Sequence, residues 1–322
     1  MTGKLFIDGK DIYSLYGIFI VDGGYNELVN FPPLKSLDSN DWAEEDGAEF
    51  DLSAPVLDSR ELNIKFAGVG MFHRFGTFIN SLTDMAYHDF EFIDIGRSYK
   101  LRLTTQSALT SKQLSYSSFT LRFADDFPMN YEEHVYQVPS SSLVSLEGYE
   151  LDDRSLSAYG ITVLEGSLDE VLKSPAVKKN LLVNINSKNG ATYDGEYVTF
   201  QTKDVKLNCL MRAASLQEFW RNYDSFLYDL IRRPDPKAPY DPGETNERML
   251  YVEDTGYEYP CYYKSCAVTN FSPVGEIWFQ FSLTLVFTSF RVSEEEFLLA
   301  SEDGLLIITE DGEYCIDLSI YV

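Results

Sequence analysis

The sequence predicts a mainly β (α+β) fold: two tandem β-sandwich or barrel modules, each with one helix, and a C-terminal β-hairpin meander. Three observations predict it. Aromatic residues are 15% of the 322 residues, with 22 Tyr and 22 Phe, and such side chains fit pleated surfaces better than helices. Apolar and polar residues alternate in short runs, the period of half-buried strands. The pattern also occurs twice at nearly fixed spacing, which divides a chain long enough for two cores.

The repeat is carried by order and phase, with few identities. Gly17 in SLYGIFIV stands 143 positions before Gly160 in SAYGITVL, and Gly47 stands 143 before Gly190. The same offset joins Leu62 and Ile64 of RELNIKF to Val205 and Leu207 of DVKLNCL. From Gly96 onward it becomes 160: Gly96 with Gly256, Tyr99 with Tyr259, Phe119 with Phe279 and Leu121 with Phe281. The 17 extra residues (160 minus 143) fall between about Ala67 and Gly96, most of them matching the second copy's RRPDPKAPYDPGETNER. Boundaries follow: a first module at 1–130, a connection at 131–154 where alternation gives way to Ser, Glu and Asp, a second module at 155–292, and a meander at 293–322.

Each copy opens with a short apolar stretch before Gly17 or Gly160, then a proline-broken region, NFPPLKS or LKSPAVKKN. Alternating runs follow. In RELNIKF, Leu62, Ile64 and Phe66 share one strand face, and Glu61, Asn63 and Lys65 the other. The period then changes to about 3.6. Phe72, Phe75, Phe78, Ile79 and Leu82 line one helix side in the first copy, and Leu216, Phe219, Trp220, Tyr223, Phe226, Leu227 and Leu230 in the second. FEFIDIGRSYKLRLTT and MLYVEDTGYEYPCYYKS read as hairpins turning at Gly96 and Gly256. SFTLRFADDF and IWFQFSLTLVFTSF close the modules, the latter so apolar from Ile277 to Phe287 that both faces are expected to be covered. In the last thirty residues LLASEDGL is followed by LIITEDGE, whose Asp-Gly pairs at Asp303 and Asp311 suit tight turns. Such a ribbon needs another surface to pack on.

A net charge of −25, from 51 acidic and 26 basic residues, argues against a basic footprint on nucleic-acid phosphates. No stretch approaches the ~18 to 20 apolar residues that span a bilayer, and no signal peptide is expected. Cys209, Cys261, Cys266 and Cys315 lack CxxC pairing and read as small buried hydrophobes in a reducing compartment. Cys261 and Cys266, five apart in an extended segment, are expected on opposite faces. His73, His88 and His134 form no zinc motif. No GxSxG, GxxxxGK[ST] or GxGxxG occurs, so no nucleophile, phosphate loop or cofactor is expected and the chain reads as no enzyme. The acidic clusters DWAEED and ADDF lack calcium-loop spacing and read as solvated loops. Arg232 and Arg233 are placed to complement the second helix's C-terminal dipole.

This order of features resembles the tail proteins of tailed bacteriophages, particularly the tube-type domain of distal tail proteins. A Gly turn is followed by a Gly-containing loop, an alternating strand such as RELNIKF, a helix such as RFGTFINSL, then YKLRLTT and a closing strand ending in FADDFPM. Leu5 to Met129 fits best; Leu156 to Phe290 looks like a drifted copy, and the tail is similar to hairpin runs at the ends of phage tail proteins. The resemblance covers about 80% of the chain. It implies a structural ring protein of a phage or prophage tail, assembled in the bacterial cytoplasm, that joins tail tube to baseplate. DNA would pass through its channel without specific binding. Its partners would be copies of itself and other tail and baseplate proteins, with no membrane. Two modules per chain allow a trimer with pseudo-six-fold symmetry or a hexamer.

Candidate assembly contacts are Phe31 and Pro33 in the proline-rich loop, Trp42 and Glu44 in the acidic loop, Arg232, Arg233 and Tyr240 around the insertion, and Phe297 and Leu306 in the meander. The alternative is a cell-surface carbohydrate-binding β-sandwich, with Trp42 exposed to stack on sugars and Trp220 and Trp278 in core-like patterns.

Overall fold

The computed structural model describes residues 1–289 except 22, 70–73, 107–109, 114–115, 131–132, 179–181, 194–197 and 234–245. The predicted meander, Phe72, His73, Tyr240, Phe297, Leu306 and Cys315 lie outside the described residues.

The first half of the chain gives strands β1 (Leu5–Ile7), β2 (Lys10–Asp11), β3 (Ile18–Ile20), β4 (Ser39–Asn40), β5 (Glu49–Phe50), β6 (Arg60–Val69), β7 (His88–Phe92), β8 (Arg97–Gln106), β9 (Thr110–Gln113) and β10 (Tyr116–Asp125). The second gives β11 (Tyr149–Leu151), β12 (Arg154–Ser155), β13 (Ile161–Val163), β14 (Leu182–Val183), β15 (Thr192–Tyr193), β16 (Lys203–Ala213), β17 (Arg248–Val252), β18 (Tyr257–Ser272) and β19 (Ile277–Phe287). Helices are α1 (Ile12–Tyr16), α2 (Phe75–Ser81), α3 (Ser167–Leu172) and α4 (Leu216–Leu230). The fold is mainly β, in curled antiparallel sheets, as the alternation predicts. One helix per half was expected. A short helix also follows the opening hairpin: the Asp11 carboxylate caps α1 by accepting from the Tyr13 and Ser14 N–H groups, which supplies the acceptors a helix start lacks.

The two sheets have one strand order. It runs β2-β1-β7-β8-β10-β6-β3 in the first and β12-β11-β17-β18-β19-β16-β13 in the second. Registers agree as well: Ile18 faces Gly68 and Ile161 faces Met211, both 143 apart. The small hairpins β4–β5 and β14–β15 and the bridges Leu34–Leu57 and Val177–Phe200 keep that offset. Phe90 faces Tyr99 as Leu250 faces Tyr259, at an offset of 160.

Several expectations are corrected by the registers. Phe119 faces Phe66, and Phe281 faces Cys209, so the closing strands correspond at an offset of 162 (281 minus 119) and Phe119 matches Phe281. A two-residue slip leaves every side chain on its face, which is why alternation could not reveal it. Of the 17 extra residues, six precede the helix C-caps Leu82 and Ile231 (231 minus 82 is 149) and eleven follow them. Tyr149–Arg154, read as part of the connection, forms with Ser155 the edge hairpin of the second sheet. β19 is less enclosed than expected, with Trp278 exposed and Gln280, Ser282 and Thr284 half-buried; only Leu285–Phe287 is covered on both faces.

Gly17 and Gly160 end their helical turns at φ 71° and 74°. Each accepts a backbone N–H from the long strand beside it, Val69 (3.1 Å) and Arg212 (2.9 Å). A Cβ at Gly17 would lie 2.8 Å from the Val69 carbonyl oxygen, and one at Gly160 would strike that of Arg212. Both need left-handed backbone and no side chain. Gly17→Val and Gly160→Val are each expected to cost about 2 kcal/mol or more, read as a lowered urea midpoint.

Candidate assembly interface

The segment Asn30–Pro33 leaves the first sheet because two successive prolines cannot continue a ladder and hold the chain extended. It ends in the second. Phe31 is wholly enclosed, stacked on Tyr223 of α4 at 4.4 Å between centroids and ringed by Phe226, Phe279 and Phe281. The flanking carbonyls must also find donors once buried. The Tyr223 hydroxyl donates to the Asn30 carbonyl (3.3 Å), and the Tyr263 hydroxyl to that of Pro32 (2.8 Å). Arg60, paired with Asp125 at 3.0 Å, also donates to the Asn30 carbonyl. Burial drives the Tyr223 and Tyr263 phenols well above their ordinary value, so they stay donors.

A bulge in β18 completes the seat. Tyr263 faces Leu285 but Ser265 faces Thr284, which leaves Lys264 outside the pairing, and the Leu34 N–H donates to its carbonyl at 3.0 Å. The same extra residue returns Cys266 to the face of Cys261, so both are buried on one side, contrary to the period-two expectation. Burial pushes the Cys266 thiol up to about 12 and Cys261 further, so they sit as neutral thiols.

Two further contacts fix α4 and the arm of the first half, residues 30–58. Arg97 Nη1 lies 2.9 Å from both oxygens of Asp224, with its guanidinium 4.2 Å from the Trp220 ring centroid, and the Trp220 indole N–H donates to the Ile95 carbonyl (2.6 Å). Stacking plus a charge-assisted bond makes this a strong surface pair. The acidic loop at 41–47 lies against the second half. Buried Lys178 reaches Asp41 (2.5 Å) and the Trp42 carbonyl (2.7 Å), Phe200 N–H donates to Asp46, and Gly47 N–H donates to the Phe200 carbonyl.

The connection is a strap along α4. Glu218, Asn222, Ser225 and Asp229, spaced four, three and four, form one helix stripe. Glu218 accepts from the Ser142 N–H and hydroxyl (2.7 Å each), Asn222 from the Ser140 N–H (3.0 Å), and Asp229 from the Tyr136 hydroxyl (2.9 Å), while the Ser225 hydroxyl donates to the Gln137 carbonyl (2.5 Å). Although partial burial acts to raise it, the two Ser142 donors hold the Glu218 carboxyl below the usual range. The signal for this strap in the sequence is the polar stripe itself, four hydrogen-bonding residues at helical spacing.

Phe31 is therefore corrected from a contact with a neighbouring subunit to an anchor within the chain, since nothing outside can reach it. Pro33 is half-buried, its carbonyl accepting from the Asp58 N–H (2.8 Å). Trp42 and Glu44 are exposed, and the Trp42 indole N–H donates to Glu49 (3.3 Å). Arg232 pairs with Asp152 (3.0 Å) in the edge hairpin instead of serving the helix end, and Arg233 lies half-buried beside it. The interface residues missed were Tyr223, Tyr263, Arg97, Trp220 and Lys178, whose signals in sequence were indistinguishable from ordinary core and surface positions.

The class defined by this geometry is a mainly β chain of two like sheets joined by a contact between unlike surfaces. Among the described residues no group of three or more His, Cys, Asp or Glu is placed to hold a metal, and no helix is long and apolar enough to cross a membrane. No protein-family model matches the chain, and no curated protein matches it in sequence. Among solved structures it is similar to the crystal structure of the SPP1 Dit (gp 19.1) protein, described as a paradigm of hub adsorption apparatus in Gram-positive infecting phages. The identity is 11%, over 88% of this chain and 98% of that one, with a TM-score of 0.29. A TM-score that low gives the superposition no functional weight.

Phe31→Ala is expected to cost about 3 to 5 kcal/mol, seen as a lowered melting midpoint, whereas Trp42→Ala should change it little. A carboxyl held low stabilises the fold above its unfolded pKa, near 4.5, and that contribution is lost as pH falls through the lower folded value. Glu218→Gln should thus cost about 1 to 2 kcal/mol at pH 7, speed amide exchange at Ser140–Leu143, and converge with the parent once the pH has fallen through the lowered folded value.

Proposed function

We propose that this chain is a structural ring protein of a phage or prophage tail, built from two copies of one module and placed where the tail tube meets the baseplate. The observation that carries the ring is the internal contact. The arm and loops of the first sheet meet α4 and the β18 bulge of the second, two unlike surfaces, and a contact of unlike surfaces repeated by rotation generates a closed ring or an open filament. The phage assignment is supported by the order of motifs from the Gly17 turn to FADDFPM. Three chains supply six modules for one ring; six chains supply it if one module of each lines the channel. An acidic wall, from a net charge of −25, would repel DNA phosphates and leave the duplex free to pass.

A second reading, carbohydrate binding, is favoured by one feature: exposed Trp42 borders a groove of about 440 Å³ with Glu45, Glu49 and Phe50. The ring reading expects particles of three or six times 36.7 kDa by light scattering, with a central opening in electron micrographs. Monomers at all concentrations, with Trp42 fluorescence quenched by glycans, would replace it with the second.

A further inference from the structure

The first sheet has a concavity lined by Pro32, Arg60, Arg97, Tyr99, Asp125 and Phe127, roofed by Tyr223, Asp224 and Leu227 of α4. Applying the offsets 143, 160 and 162 to those six positions gives Pro175, Lys203, Tyr257, Tyr259, Phe287 and Ser289. These line a cavity of about 180 Å³ in the second sheet. The same hollow therefore occurs twice, but where α4 covers the first, only the end of α3, Val171 and Leu172, borders the second among the described residues. Leu172 on its rim is 59% exposed and Tyr257 49%, whereas Val29, the counterpart of Leu172, is fully buried.

The arms, 30–58 in the first half and their counterparts 173–201 in the second, differ in the same way. The first arm is seated, its Leu34 N–H on the Lys264 carbonyl. The second arm presents Val177, Leu182, Ile185 and Val198 to solvent, each at least 40% exposed. The counterpart of Leu34 is Val177, whose N–H meets no acceptor among the described residues. The counterpart of Lys264 is Thr104, and the first sheet carries the same bulge there: Arg122 faces Thr105 and Phe123 faces Leu103, leaving Thr104 unpaired. Beside it, Leu103 is only half-buried where its counterpart Tyr263 is enclosed. The second arm is thus held to the acidic loop on one side, through Lys178, Thr199 and Phe200, while Val177 turns its N–H the other way, and the bulge that would receive it stands in the first sheet.

We propose that the second arm and its open cavity receive the first sheet of another copy of this chain. The Val177 N–H docks on the Thr104 bulge and the side bearing α2 roofs the cavity at Leu172 and Tyr257. The contact that joins the sheets within a chain is repeated between chains, head to tail. This rests on the ring-forming reading above but not on the phage assignment. Because every copy carries strong negative charge, salt should strengthen the association.

The test uses the full chain. Sedimentation velocity is compared for the parent, Leu172→Glu and Val177→Pro, with melting curves to show that each variant folds; Tyr257 is separately replaced by a photo-crosslinking benzoylphenylalanine. The expected result is a loss of association of tenfold or more in both variants, and crosslinks from position 257 to residues 75–85 of a different copy. Intact oligomers in both variants, with position 257 linked only to its own chain, for instance to 290–322, would overturn this interface while leaving a ring formed by other surfaces. An open ladder of masses abolished by Leu172→Glu would uphold the interface and overturn ring closure. Monomers throughout would overturn both.

Discussion

The contact between the two sheets is centred on one buried side chain and the carbonyls on either side of it. Phe31 carries apolar surface from one sheet into the aromatic core of the other, where Tyr223, Phe226, Phe279 and Phe281 surround it. Aromatic pairs of this kind add about 0.5 to 1.5 kcal/mol each beyond area burial. The backbone that delivers the ring is tolerated only because two tyrosine hydroxyls and Arg60 satisfy its carbonyls. Packing brings the sheets together, and the polar matches fix their register. Buried apolar residues of both halves consequently form one continuous cluster.

The two halves keep the same scaffold and diverge at the positions that face a neighbour. Arg60 and Asp125 form a buried ion pair beneath the first concavity; Lys203 and Phe287 stand there in the second, the ammonium 5.7 Å from the ring centroid. Phe31 has Ser174 as its counterpart, exposed to solvent. The first half thus projects a large aromatic anchor and the second does not. A tight contact within the chain and a weaker one between chains would let the molecule fold as a unit first and associate afterwards.

Alternation and the change of period made the strands, the two main helices and the glycine turns legible, because those features depend on local steric rules. Leu62, Ile64 and Phe66 fall on the buried face of β6, and Phe219, Tyr223, Phe226 and Leu227 on that of α4. What local rules omit was not legible. The Lys264 bulge shifts Cys266 by one residue with no mark in composition, and the closing strands slip by two without changing face. Phe31 looked like a loop aromatic, since nothing near it in sequence specifies a cage about 190 to 250 positions away. The strap was misplaced for a related reason: a Ser-rich stretch reads as solvated unless a helix supplies a matching polar stripe.

The distance along the chain between Phe31 and its cage also sets an order of events during synthesis. Tyr223 follows Phe31 by 192 residues (223 minus 31), a delay of roughly 10 to 40 s at ordinary elongation rates of about 5 to 20 residues per second. Throughout that interval the first sheet can close on its own strands, while its arm holds an aromatic anchor with nowhere to go. The growing chain carries an apolar protrusion until α4, already held by the strap, and then β19 with Phe279 and Phe281 have emerged. Arm and cage are then buried against each other within one chain, out of reach of any other.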